Sequence, residues 1–100
     1  MTGKPPATME SFDSFRERSL KAGADEVVER RYAPGQMVDT HTHEFDAQAV
    51  VTEGEMWLTF GTHTQHLGVG DTFHVPLGTP HSEKYGPQGA TYWVARRNAR

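Results

Sequence analysis

The hydrophobic positions of this chain change their period at Gly23. Before it, Phe12, Phe15 and Leu20 fall roughly on one helical face, Glu10 and Asp13 favour the amino end, and Lys21 followed by Gly23 marks the exit. The spacing predicts one short helix within 9–23. A frayed lead-in over 1–8 precedes it, since consecutive prolines at Pro5 and Pro6 enter neither helix nor sheet pairing. After Gly23, short runs rich in Val, Thr, Tyr, Phe and Trp predict strands near 26–32, 38–43, 48–53, 56–60, 64–67, 72–75, 81–85 and 90–96. Turns are expected at Pro34-Gly35, Gly54-Glu55, Gly61-Thr62, Gly68 with Gly70-Asp71, Gly78-Thr79-Pro80 and Gly86-Pro87-Gln88-Gly89. Many short strands at regular intervals imply a β-sandwich or barrel.

Length and composition narrow the function classes. At 100 residues there is room for one compact domain and no second core. Ten basic against 13 acidic residues give a net charge of -3, without the positive footprint that phosphate backbones or anionic membranes attract, so no nucleic acid partner and no membrane partner are expected. The absence of cysteine removes disulfides, thiolate nucleophiles, iron-sulfur clusters and thiolate zinc sites, and leaves His, carboxylate or amide as metal donors. No apolar stretch approaches a membrane span and the first residues lack the apolar block of a secretory signal, which sets the expectation of a cytoplasmic protein.

The chemistry concentrates at His41-Thr42-His43. Residues two apart on a strand point to one face, so both imidazoles would stand side by side at a separation suited to one ion. A pair of solvated histidines is the plain alternative for an isolated H-x-H. Context speaks for the ion: Gly35-x5-His41-x-His43 with Gly54 closing the next strand, then Gly70-x5-Pro76-x-Gly78-x2-His81. These two stretches resemble the paired motifs of the cupin family, G-x5-H-x-H-x3,4-E-x6-G and G-x5-P-x-G-x2-H-x3-N, over about residues 26–97. The resemblance implies an all-β double-stranded β-helix or jelly-roll barrel over 24–100, holding a metal ion or small ligand in its interior. It also implies that the two motifs face each other across the barrel, bringing His81 to the same ion as His41 and His43.

Two positions depart from the family pattern. Tyr85 stands where the second motif has Asn. The glutamate of the first motif falls on Ala47 or Gln48, and counting back from Gly54 selects Ala47. Strand parity agrees, placing Ala47, Ala49 and Val51 on one small apolar face and Gln48 with Val50 and Thr52 on the other. A bulge between Phe45 and Gln48 would instead turn the Gln48 amide inward as a neutral fourth ligand. Glu44 and Asp46 read more simply as solvated charges.

The expected site is therefore a divalent metal ion (Fe, Zn, Ni or Mn) on His41, His43 and His81, with or without Gln48. Its donors are neutral, so a small chelating anion is the expected ligand. Two readings of function follow: an enzyme of dioxygenase or Lewis-acid type, or a binding and sensing barrel without turnover. A sugar-nucleotide epimerase of related fold would need a basic cleft and a His-acid pair, and neither is evident. His63 and His66 read as solvated, and His74 faces away from whatever Phe73 and Val75 pack against. Aromatic strand faces on so small a domain suggest a homodimer.

Overall fold

The computed structural model describes residues 10–99, and the lead-in expected over 1–8 lies outside them. Helix α1 runs Phe12–Lys21, with the Ser11 hydroxyl accepting the Ser14 N–H at 3.1 Å as its N-cap. Phe12 and Phe15 of α1 pack against the Trp93 indole, with ring centroids 5.5 and 5.8 Å away. The apolar stripe of the helix thus covers one outer face of the sheet.

Six strands follow: β1 (Glu26–Tyr32), β2 (Met37–His41), β3 (Phe45–Phe60), β4 (His63–Gly68), β5 (Thr72–Val75) and β6 (His81–Asn98). Eight strands were expected, and four of them merge in pairs. The stretches 48–53 and 56–60 join as β3, and 81–85 and 90–96 join as β6. Gly54 and Gly89 explain why their turn signals misled. Both have positive φ, 72° and 74°. A Cβ on Gly54 would come within 2.0 Å of the Gly89 carbonyl oxygen, and one on Gly89 within 2.3 Å of the Tyr32 oxygen. These glycines serve close backbone approach where two long strands bend together, with register shifts between Val51 and Glu53 and between Gly54 and Met56.

All pairings are antiparallel. The carboxy-terminal half of β6 pairs with β1 and with the first half of β3, which also pairs with β5. The first half of β6 pairs with β2 and with the second half of β3, which also pairs with β4. The arrangement is consistent with a double-stranded β-helix, but the sheet is not closed, so the expected barrel does not form. The hydrogen-bonded path runs β1-β6-β3-β4, with β2 joined only to β6 and β5 only to β3. The four flanking strands spend their pairing on the two long ones and leave free edges. Such edges suit their sequences, since four of the seven residues of β1 are charged and β5 is four residues long.

Besides the long β3–β6 ladder that runs through both halves, side-chain packing joins them. Ala47, Ala49 and Val51 face inward as parity predicted, and meet Met56, Leu58, Phe73, Val75, Tyr85, Tyr92 and Val94 in one buried cluster.

Candidate metal centre

His41 ends β2 and His81 begins β6, and the two are directly opposite in the β2–β6 ladder. They are therefore neighbours on adjacent strands, where the family resemblance had suggested motifs facing each other across a barrel. His43 lies just beyond β2, and its carbonyl accepts the Gly78 N–H at 2.9 Å, tying the end of the first motif to the glycine of the second. The three rings crowd together, with centroids 4.3 Å apart for His41 and His81, 4.6 Å for His41 and His43, and 5.0 Å for His43 and His81. Their ligand atoms all lie within 4.8 Å of one another.

Backbone carbonyls set the tautomers. His41 Nδ1–H donates to the Asp39 oxygen at 2.7 Å and His81 Nδ1–H to the Thr79 oxygen at 2.9 Å. A carbonyl only accepts, so each neutral ring keeps its proton on Nδ1 and presents a bare Nε2. Such outer hydrogen bonds are how metal-ligating histidines are held. The Nε2 atoms of His41 and His43 are 3.1 Å apart. Two imidazole nitrogens on one tetrahedral ion would be about 3.3 Å apart, given metal–nitrogen bonds near 2.0–2.1 Å. His43 is held neutral: partial burial, then the neighbouring His41 and His81, then Arg96 and Arg30, bring its pKa down to about 4. The cluster is thus capable of chelating a metal ion at neutral pH.

The histidines line a cavity of about 290 Å³ that is also bounded by Ala47, Phe45, Glu83, Arg30 and Arg96. Ala47 sits where the family's glutamate is counted, facing inward and 5% exposed. Gln48 is not brought to this cavity. It is exposed, pairs with His74 and Ala95 in the ladders, and lines a separate hollow of about 1130 Å³ between α1 and the sheet. Among the described residues, the larger volume carries no comparable convergence of donors. His74 also points out there and binds Asp46 at 2.6 Å, while His66 binds Glu55 at 2.7 Å and stacks on Trp57.

One residue of the site escaped the reading of the sequence. Glu83, two residues after His81 on β6, is 7% exposed, and its Oε2 stands 3.6 Å from His81 Nε2 and 3.7 Å from His41 Nε2. Its Oε1 accepts the hydroxyl of Tyr85, the residue at the Asn position. Tyr32 stacks on Tyr85 at 4.2 Å and reaches the Tyr92 hydroxyl at 3.3 Å. Burial, above all, pushes the ionisation of Tyr85 and Tyr92 well above the phenol range. The signal for Glu83 was present, since the predicted strand 81–85 puts His81, Glu83 and Tyr85 on one face.

Residues 28–85 match the family of the cupin domain, more than half of the chain, and the chain belongs to that family. The fold is similar to an RmlC-like cupin from Shewanella frigidimarina NCIMB 400 (25% identity, 75% of this chain and 67% of that one, TM-score 0.66). It also resembles a protein of unknown function from Rhizobium leguminosarum bv. viciae 3841 (21% identity, 92% of this chain and 99% of that one, TM-score 0.72). A third similar structure is KdgF from Halomonas sp. (21% identity, 74% and 69% coverage, TM-score 0.63). No curated protein matches the chain.

Proposed function

We propose that this cupin holds one divalent metal ion on the Nε2 atoms of His41, His43 and His81 and binds a small chelating anion beside it. The observation that supports the ion is the convergence of three ligand atoms within 4.8 Å, two of them on rings whose other nitrogen is anchored to backbone. A bound ion would supply Lewis-acid polarisation of the ligand, or dioxygen chemistry if it is iron.

The anion reading changes its footing. Three neutral imidazoles alone would leave the ion's charge uncompensated, but Glu83 stands beside them and offsets part of it. Support comes instead from two guanidinium groups lining the cavity, Arg30 and Arg96. Arg96 Nε is buried with no hydrogen-bond partner among the described residues, although Nη1 donates to Glu26 at 3.1 Å and the group lies 4.8 Å over the Phe45 ring. A buried unpaired guanidinium N–H is costly, and a ligand carboxylate or enolate would satisfy it.

A binding role without turnover is the second reading. It is favoured by the tyrosine wall, whose hydroxyls resist ionisation and leave Glu83 as the acidic group facing the histidines. Elemental analysis of the purified protein beside His81→Ala tests the site. We expect about one ion per chain in the parent protein and a large loss in the variant, whereas equal content would remove the centre. Oxygen uptake with Fe(II) and a panel of small diketones and carboxylates then separates enzyme from binding module.

The proposal includes a homodimer, supported by the free strand edges and by exposed Met37, Val69 and Leu77. It includes no nucleic-acid partner, in keeping with the net charge of -3. A cytoplasmic location belongs to the same proposal. Among the described residues no helix is long and apolar enough to cross a membrane.

A further inference from the structure

We infer that Glu83 is the fourth ligand of the metal centre, its carboxylate entering from the second motif and replacing the glutamate that Ala47 lacks in the first. This rests on the metal reading above. His81 and Glu83 are two apart on β6, both are buried, and both line the cavity that Ala47 widens.

Several acceptor atoms converge here, and His41 Nε2 also lies 3.1 Å from His43 Nε2. His41 and His81 give their ring protons to carbonyls, so their Nε2 atoms are lone pairs. Glu83 Oε2 faces both at 3.7 and 3.6 Å, too long for a hydrogen bond. Among the described residues those two imidazoles are the only basic side chains within ion-pair distance of Glu83. A carboxylate whose side chain is 6% exposed, aimed at two lone pairs, is repulsive unless positive charge lies between them. A shared cation satisfies all of these atoms together. Tyr85 completes the arrangement, because its hydroxyl occupies Oε1 and leaves Oε2 for the ion. Tyr85 is a positioning residue in this scheme. The centre becomes three imidazoles and one carboxylate, with a net charge one unit lower than three histidines give.

Cobalt(II) is a suitable probe, since its visible absorption reports the ligand set without any turnover. Wild-type protein, Glu83→Gln, Glu83→Asp and Tyr85→Phe are loaded with Co(II), and affinities are read by competition with a chromophoric chelator. Glu83→Gln keeps the side-chain shape and an oxygen for Tyr85. It should bind Co(II) about tenfold more weakly or worse, with an altered d–d spectrum. Tyr85→Phe should shift the spectrum less and weaken binding less. Glu83→Gln with wild-type affinity and spectrum overturns the assignment. If that variant does not fold, Glu83→Asp, whose carboxylate is drawn back by one methylene, decides by the same two readouts. Wild-type protein that takes up no Co(II) instead overturns the metal centre itself, a distinct result.

Discussion

At the scale of single residues, motif spacing and strand parity gave different kinds of information. Spacing found His41, His43 and His81, because each lies at a fixed distance from glycines that fix turns. Spacing also directed the search for a carboxylate to positions 47 and 48, where the structure has an inward alanine and an outward amide. Parity, applied to the strand after His81, leads to Glu83, whose oxygens meet His41, His81 and Tyr85. Arg96 had no local signal in the sequence. Its place is set by the β3–β6 ladder, where Arg96 stands opposite Ala47 and its guanidinium lies over the ring of Phe45, 51 positions away in the chain, a pairing that no local pattern announces.

 The unpaired Nε carries a prediction. In metal-loaded protein, Arg96→Gln should weaken binding of acetylacetonate or a small dicarboxylate by about tenfold or more, the worth of one charged hydrogen bond, with metal content unchanged. Isothermal titration reads this directly, and equal affinity in the two proteins would remove Arg96 from the ligand site.

At the scale of elements, the helix was legible because its start and stop are local. Ser11 caps it, and Ser11→Ala should cost about 1 kcal/mol in urea unfolding. The strands β1 and β5 were read with their observed bounds, 26–32 and 72–75. The long strands were not, because a glycine that ends a strand and one that lets two strands approach look alike in sequence. What distinguishes Gly54 is a partner 35 positions on (89 − 54), the Gly89 carbonyl that a Cβ would meet at 2.0 Å. Gly54→Ala should therefore destabilise the fold by roughly 2–4 kcal/mol, from positive φ and backbone overlap together. Gly61→Ala is the control: its φ is also positive, at 56°, but nothing lies within 4 Å of the added carbon, so the loss should be smaller. Similar losses at both positions in denaturant titrations would show that the close approach of β3 and β6 contributes little.

At the scale of the whole molecule, an all-β domain with one helix was readable from periodicity, while closure of the sheet was not, because periodicity says which face a residue takes and nothing about which edges meet. Beyond the β3–β6 ladder, the two halves are held by the buried cluster and, beside it, by the histidine site, which joins β2, β6 and the segment before β3. An ion there would bind the folded chain and not the unfolded one, so metal should act as a cross-link on stability. With free metal at 100 times its dissociation constant the expected gain is about 2.7 kcal/mol, or roughly 10–20 °C in Tm for a domain of this size. Differential scanning calorimetry with and without Zn(II) measures it. Chelator should reverse the gain, and His81→Ala should melt at the same temperature with or without metal. A parent protein whose Tm is indifferent to metal and chelator would mean that the three imidazoles, close as they are, do not hold an ion between the strands.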